Sequence, residues 1–282
     1  MSLGGTAGQQ FPVDLVTMGR ASIVDEIAAA RARSRVRFRT LFVLTWVVLV
    51  GGLALLILSS GKTDFSFLVG EWGNFIIAGV PVTIIVSICS IVLACIFALL
   101  GALGRLSTIA PVYSVASLYV SLIRGTPLIV QIFFWYAALP QFGIVLPAFL
   151  AGVFALSFNY GAYMTEIFRA GIQAVPRGQR EAAAALGMTE RQTMRRVVLP
   201  QAIRIVIPAV GNEFIAMIKD SALVSYVGIQ ELFFRAREVG TRFFHSFEAL
   251  ALAALIYWLL SIILSLFQER LEQRLAESDR RS

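Results

Sequence analysis

The feature that most constrains this chain is a succession of long apolar runs, separated by short segments that carry nearly all of its arginines. A helix needs about 20 apolar residues to cross the hydrocarbon core of a bilayer. Six runs approach or exceed that length, namely Leu41–Leu58, Ile77–Leu103, Val112–Leu139, Val145–Phe168, Ala202–Val224 and Ala249–Phe267. The composition, 58% hydrophobic and 15% charged, also lies far from that of soluble domains. The sequence therefore predicts an all-α integral membrane protein with about six transmembrane helices.

The arginine blocks orient these predicted spans, because cytoplasmic loops are enriched in Lys and Arg. One block directly precedes the first span, seven arginines lie within Arg169–Arg204, and four more follow the last span. Six crossings with both termini in the cytoplasm place all of these blocks inside. The segment between the fifth and sixth spans is the exception, since it would lie outside although it carries Lys219, Arg235, Arg237 and Arg242.

Four segments follow from this topology. A basic cytoplasmic segment, residues 1–40, precedes an added N-terminal transmembrane helix, residues 41–58; the main transmembrane region covers residues 75–275 and a cytoplasmic tail residues 276–282. Residues 1–40 could lie on anionic lipid as a basic amphipathic helix or act only as a topological signal. We expect the first span to be an uncleaved anchor, since its apolar core exceeds the roughly 15 residues usual in signal peptides.

Composition argues against several other functions. The net charge of +7 could suggest nucleic acid, but the arginines lie beside apolar segments, so no nucleic-acid partner is expected. Cys89 and Cys95 lack zinc-ligand spacing, and a single histidine, His245, does not favour a metal cluster or a Ser-His-Asp hydrolase. The GKT sequence at residues 61–63 has Leu56 where a nucleotide-binding loop needs glycine. We predict no metal, bound cofactor or catalytic residue in this chain.

The segment between the fourth and fifth predicted spans, residues 169–203, has strong local signals. A run of alanines favours a helix from about Gly178, and Gly187 supplies the usual C-terminal stop. Thr189, followed three residues later by Gln192, forms a capping box for a second helix, which we expect to end before Pro200. The sequence thus predicts two short cytoplasmic helices at an angle, with a glycine hinge.

The exposed faces of these two helices suit a cytosolic partner. The first is expected to expose Ala182, Ala183 and Leu186, and the second Arg191, Arg195 and Arg196. Small residues allow another surface to come close, and a rigid elbow can transmit a push. Alternatively, the same pattern of residues would be explained if the segment is an ordered loop that packs on the chain's own transmembrane spans.

Prolines and polar residues inside the apolar runs are the remaining signals. A helix break is predicted at residues 124–127, because Pro127 disfavours helix at the residue before it, and Pro81 and Pro208 predict kinks or late helix starts. Ionisable groups within spans are costly, so each is a functional candidate. Candidates for a substrate pathway are Gln131, Asn159, Asn212, Glu213, Lys219 and Asp220, and candidates for a break or gate are Arg124, Gly125, Pro127 and Glu166. Both signs of charge suit a zwitterionic amino acid, although each group could instead pair with a neighbouring helix or subunit.

The segment at residues 169–203 resembles a known motif. Glu181-Ala182-Ala183, then Gly187, then Leu199-Pro200 is similar in spacing to the EAA loop of the membrane subunits of bacterial ABC importers, with Val197 where isoleucine is favoured. Residues 119–134, 156–179 and 199–232 resemble polar-amino-acid uptake permeases of the histidine, glutamine and arginine type. The likeness covers about residues 75–275. The chain departs from it at two points: it has Ser121 where many members have Glu, and it has the added first span.

This resemblance implies a type I ABC importer-like transmembrane domain in a bacterial inner membrane, and a transport subunit rather than an enzyme. It implies ABC ATPase partners that use ATP and Mg²⁺, a second permease subunit, identical or paralogous, and an extracytoplasmic amino-acid-binding protein. The ATPase-coupling residues would be Glu181, Ala182, Ala183, Gly187, Leu199 and Pro200. One alternative is the import of amino-acid-like solutes such as opines. A second is an ATP-independent secondary carrier, which leaves the EAA-like segment unexplained. A third is an intramembrane enzyme, for which the sequence lacks paired acids within the spans.

Overall fold

A computed structural model describes residues 13–59, 61 and 63–281 of the chain. These residues form helices and connecting turns, with no strand among them, so the all-α prediction is confirmed. The α-helices are α1 (Val13–Ser59), α2 (Glu71–Ile77), α3 (Val80–Arg105), α4 (Ala110–Arg124), α5 (Leu128–Phe133), α6 (Ala148–Ala174), α7 (Arg177–Ala185), α8 (Glu190–Thr193), α9 (Leu199–Asp220), α10 (Leu232–Phe243) and α11 (Ser246–Arg281).

Several of these helices suit a membrane by length and composition. In the described part of the chain, four stretches are long and apolar enough to cross it, namely Ser34–Ile57, Glu71–Arg105, Glu190–Val227 and Ser246–Arg274. Helix α4 and the segment Leu128–Phe142, which begins with α5, are bent by 107° and make a fifth if the pair is one broken span. The total of six spans and the cytoplasmic position of both termini stay predictions.

The chain forms two compact units, Met1–Thr63 and Asp64–Ser282. In the first unit, α1 continues without a break from the predicted basic segment into the predicted first span. Phe38, Phe42 and Trp46 lie one turn apart along it, with ring centroids 6.3 and 6.0 Å apart. Residues 1–12 of the predicted basic segment lie outside the described residues.

The core of the second unit is built around α6, which packs along α3 and also contacts α4, α5 and α9. Small residues allow these backbones to come close, as is usual between membrane helices. Ala94 and Ala98 of α3 are fully buried. A Cβ atom at Gly161 of α6 would lie 2.7 Å from both Phe97 Cβ and the Tyr119 hydroxyl, so only glycine fits there.

The prolines shape these helices as the sequence predicted in two places. Helix α4 ends at Arg124 and α5 begins after Pro127, which confirms the predicted break, and Pro81 lies in the first turn of α3. Pro208 instead lies in the interior of α9. The carbonyl oxygen of Pro208 accepts a hydrogen bond from Gln268 Nε2 at 3.1 Å, which ties α9 to α11.

The prediction that the second elbow helix ends before Pro200 is wrong. Helical backbone continues from α8 through a π-helical turn, Met194–Val198, into α9, where Pro200 lies in the first turn. Because helical residues precede it, Pro200 has no N–H to donate to a carbonyl of the preceding turn, and the backbone there is π-helical rather than α-helical. The Val197 carbonyl accepts from Gln201 Nε2 at 3.0 Å, which satisfies an acceptor beside the irregular turn.

Candidate functional site

A polar pocket of about 550 Å³ lies where the α4–α5 break meets α6 and α9. It is lined by Arg124, Gly125, Thr126, Pro127, Leu128, Asn159, Tyr160, Tyr163, Glu213 and Asp220. Two further cavities in the described residues have almost wholly apolar walls. The polar pocket is therefore the one of these three with the chemistry to hold a charged or zwitterionic solute.

The break between α4 and α5 places the positively charged side chain of Arg124 at this pocket. Arg124 is the last residue of α4, and its guanidinium lies over the Tyr163 ring of α6, 5.0 Å from the centroid. Thr126 Oγ1 donates to the Leu122 carbonyl at 3.1 Å, and Pro127 adopts an extended backbone before α5. A cation over an aromatic face is held in place while its N–H groups stay available.

A buried amide network fixes the geometry of the break. Gln131 Nε2 donates to the carbonyls of Ile123 at 2.8 Å and Thr126 at 3.1 Å, and contacts Thr126 Oγ1 at 2.9 Å. Asn159 Nδ2 of α6 donates to Gln131 Oε1 at 3.3 Å. Both amides are buried, with 6% and 7% of their surface exposed. Gln131 therefore supplies short hydrogen bonds to carbonyls at the interrupted end of α4, where the Thr126 N–H reaches the Ile123 carbonyl only with a long bond of 3.5 Å.

Two carboxylates on α9 line the same pocket as Arg124. Glu213 and Asp220, seven residues and about two turns apart, share one face of the helix. The buried Tyr160 hydroxyl of α6 donates to Asp220 Oδ2 at 2.8 Å. The pocket thus presents carboxylates for an ammonium group and a guanidinium for a carboxylate.

The structure brings together most of the predicted pathway and break residues. Arg124, Gly125, Pro127, Asn159, Glu213 and Asp220 line the pocket, and Gln131 is bonded to Asn159 behind it. Asn212 and Lys219, on the neighbouring stripe of α9, are exposed and do not line it, and Glu166 lies elsewhere, at the far end of α6. Tyr160 and Tyr163 were missed; their position beside Asn159 on α6 was the available signal.

The segment at residues 169–203 forms the predicted elbow. Helix α7 ends at Ala185, and Gly187 takes a left-handed backbone with φ of 74°. The Met188 N–H bonds to the Ala183 carbonyl at 3.0 Å across this turn, a typical glycine C-cap. Thr189 and Gln192 then make the predicted capping box that opens α8.

The exposed face of α7 differs from the prediction in one residue. Ala183 is buried, with 3% of its surface exposed, because this side of α7 packs inward. Glu181 and Ala182 are exposed, and Leu186 has 79% of its surface exposed. Arg180 anchors the helix by donating to the Ile172 carbonyl of α6 at 2.9 Å. The elbow therefore presents an apolar tip on a fixed base.

At the opposite end of α9, a buried carboxylate fixes α10. Glu231 caps α10 by accepting from the N–H groups of Phe233 at 2.9 Å and Phe234 at 2.6 Å, and from the Tyr257 hydroxyl of α11 at 2.6 Å. Burial raises the pKa of Glu231, while these hydrogen bonds favour its charged form. Tyr257, which lies within the apolar stretch Ser246–Arg274, therefore holds this cap.

Comparisons with known proteins agree with this architecture. Residues 98–277 match the family described as "Binding-protein-dependent transport system inner membrane component". The chain is 45% identical to the "L-cystine transport system permease protein TcyB" of Bacillus subtilis (strain 168), over 70% of this chain and 85% of that protein. It is 38% identical to the "Arginine transport system permease protein ArtQ" of the same organism, over 73% of this chain and 94% of that protein.

A solved structure resembles the fold closely. "Crystal structure of an amino acid ABC transporter with histidines" contains a chain 42% identical to this one, with a TM-score of 0.72, covering 76% of this chain and 99% of that one. The family match spans well over half of the sequence. This chain therefore belongs to the family of inner membrane components of binding-protein-dependent transport systems.

Proposed function

We propose that this chain is the permease subunit of an ATP-driven importer of polar amino acids in a bacterial inner membrane. The observation that carries the proposal is the pocket at the α4–α5 break, which is lined by Arg124 and by the carboxylates of Glu213 and Asp220. An amino acid carries one ammonium and one carboxylate, so both of its charged groups meet a partner of opposite sign. Relatives whose names specify L-cystine and arginine transport support this substrate class.

The elbow supports the proposed coupling to a separate ATPase. Leu186 at its tip has 79% of its surface exposed and follows exposed alanines of α7, so the tip offers apolar surface that a partner protein could cover. Glu181 and Ala182 lie beside it on the exposed side of α7. An ATPase subunit that binds this tip would push on α7, and through it on α6. Leu199 and Pro200 would contribute to coupling because they join the elbow to α9, and they would not contact the ATPase.

The outward charge of α10 supports docking of a soluble binding protein on the other side of the membrane. The Arg237 guanidinium lies 4.9 Å from the Tyr226 ring centroid and about 6 Å from those of Phe233 and Phe234. An arginine held by aromatic rings suits the core of a protein interface. A second permease subunit, identical or paralogous, would complete the pathway.

Reconstitution tests the proposed function. The purified chain, combined with candidate ATPase and binding-protein subunits from the same organism, would be placed in proteoliposomes with radiolabelled L-cystine, L-arginine or L-glutamine. We expect ATP-dependent accumulation of at least one of the three, with unlabelled octopine as a competitor to test for opine transport. Accumulation driven by an ion gradient without ATP would contradict the proposal, as would stoichiometric turnover of ATP by this chain alone.

A further inference from the structure

The inner end of α6 is joined to two other helices through one arginine that the sequence pattern did not single out. Glu166 of α6 bonds Arg169 on the same helix, with 2.7 Å between Oε2 and Nη2. Its other oxygen, Oε1, lies 3.3 Å from Nε of Arg105, the last residue of α3. Glu166 therefore makes a pair along one helix and also a bridge between helices.

Arg105 extends the bridge to α4. Its Nη1 donates to Ser117 Oγ at 2.6 Å and to the Tyr113 hydroxyl at 3.1 Å, and its guanidinium lies 5.0 Å from the Tyr113 ring centroid. Tyr113 and Ser117 lie one turn apart on α4. Arg105 and Glu166 each have 23% of their side-chain surface exposed, so solvent screens the pair only in part. One guanidinium thus joins α3, α4 and α6.

Helices α4 and α6 also contact each other directly, on the pocket side of this bridge. The Tyr119 hydroxyl of α4 donates to the Phe158 carbonyl of α6 at 2.8 Å, and Arg124 lies over Tyr163. Tyr163 borders the polar pocket about 4.5 Å along α6 from Glu166, and Phe158 lies about 12 Å along α6 from Glu166. The Arg105 bridge is thus the one of these three contacts that lies nearest the elbow, and without it α4 could pivot away from α6 about the other two.

The elbow connects to the same stretch of α6. Arg180 of α7 holds the Ile172 carbonyl, less than two turns beyond Glu166. A movement of α7 therefore moves α6 directly. It moves Arg124, at the end of α4, only if α4 moves together with α6. We propose that Arg105 is a positioning residue for transport, which locks α4 to α6 so that motion of the elbow moves the arginine side of the pocket. This inference rests on the proposed function.

A coupling measurement tests Arg105 directly. In proteoliposomes with the ATPase and binding protein, the ratio of accumulated radiolabelled amino acid to hydrolysed ATP would be measured for wild type and Arg105→Gln. We expect this ratio to fall at least about fivefold, while ATP hydrolysis persists. A protein that was merely less stable would lose uptake and stimulated ATP hydrolysis together, and the ratio would not change.

Arg169→Gln is the matched control, because it removes the other guanidinium from the same carboxylate with the same change of charge. Its pair lies within one helix, so we expect the ratio to change less than about twofold. In the exchanged pair Arg105→Glu with Glu166→Arg, a carboxylate at position 105 can accept from Tyr113 and Ser117. Arg105→Glu alone and Glu166→Arg alone should each lower the ratio of accumulated amino acid to hydrolysed ATP. The double exchange should restore most of that loss. An equal fall for Arg169→Gln, or no restoration, would overturn the proposal.

A distance measurement decides the matter independently of uptake. Spin labels at Val115 of α4 and Ala170 of α6, both exposed, would be placed in a Cys89→Ser, Cys95→Ser background. We expect one narrow distance distribution in the parent and in Arg169→Gln, and a broad one in Arg105→Gln. An unchanged distribution in Arg105→Gln would refute the lock even if the importer works. Absence of any uptake by the wild-type importer would instead count against the proposed function.

Discussion

At the residue scale, the pocket combines groups that the sequence could identify with groups that it could not. Glu213, Asp220 and Asn159 stand out because polar groups are rare in apolar runs. Tyr160 and Tyr163 do not stand out, since tyrosine is common in membrane helices. Their roles depend on which helices face α6, namely the hydroxyl contact with Asp220 and the ring beneath Arg124. Such facing is a property of tertiary packing and has no signature in a single span.

Substitution of Glu213 tests whether the pocket carries substrate. Glu213→Gln keeps the shape and removes the charge, so the loss of a charge-assisted contact of about 1.5 kcal/mol should raise the KM for L-arginine uptake roughly tenfold. Glu269→Gln, the same change on an exposed side chain of α11 that does not line the pocket, is the control and should leave KM unchanged. Equal KM values for all three proteins would remove Glu213 from the pathway.

Substitution of Gln131 tests the amide network behind the pocket. Gln131→Leu removes the hydrogen bonds that Gln131 makes to the Thr126 carbonyl and to the Asn159 amide, and the shortest bond to the Ile123 carbonyl. Unsatisfied buried groups cost about 1–3 kcal/mol, so the midpoint of thermal unfolding in detergent should fall. Gln230→Leu, on an exposed side chain, provides the comparison. A Gln131→Leu protein as stable as wild type would show that the network contributes nothing to holding the break.

At the element scale, local signals predicted local structure well. The capping box at Thr189, the glycine stop at Gly187 and the break before Pro127 all appear where the sequence placed them. Each is set by backbone chemistry within a few residues. The continuation of helix through residues 194–198 was not predictable in this way, because a π-helical turn depends on how α8 and α9 are held by the rest of the bundle.

Two glycines of the elbow should respond in opposite directions to alanine. Gly187→Ala forces a side chain into a left-handed backbone and should destabilise the turn by about 1–2 kcal/mol. Gly178 lies within α7 with open space around it, so Gly178→Ala should stabilise the helix by about 0.5–1 kcal/mol. Hydrogen exchange of the α7 and α8 amides would report both changes. Slower exchange in Gly187→Ala would show that the glycine is not required by the turn.

At the scale of the whole molecule, apolar runs and arginine blocks predicted a helical membrane protein, and the family match confirms that class. The arrangement of the helices was beyond these signals. The central position of α6 between α3, α4 and α9 depends on small residues such as Gly161 that fit particular neighbours. The resulting molecule has a polar pocket at one point along α6 and an exposed elbow at its end, with one continuous helix between them.

The central claim is that this elbow faces the cytoplasm and receives the ATPase. Leu186→Cys in a Cys89→Ser, Cys95→Ser background would be exposed to a membrane-impermeant maleimide in spheroplasts and in inverted membrane vesicles. We predict labelling in inverted vesicles alone, and protection when the ATPase subunit is added. Labelling in intact spheroplasts would place the elbow outside and contradict the account.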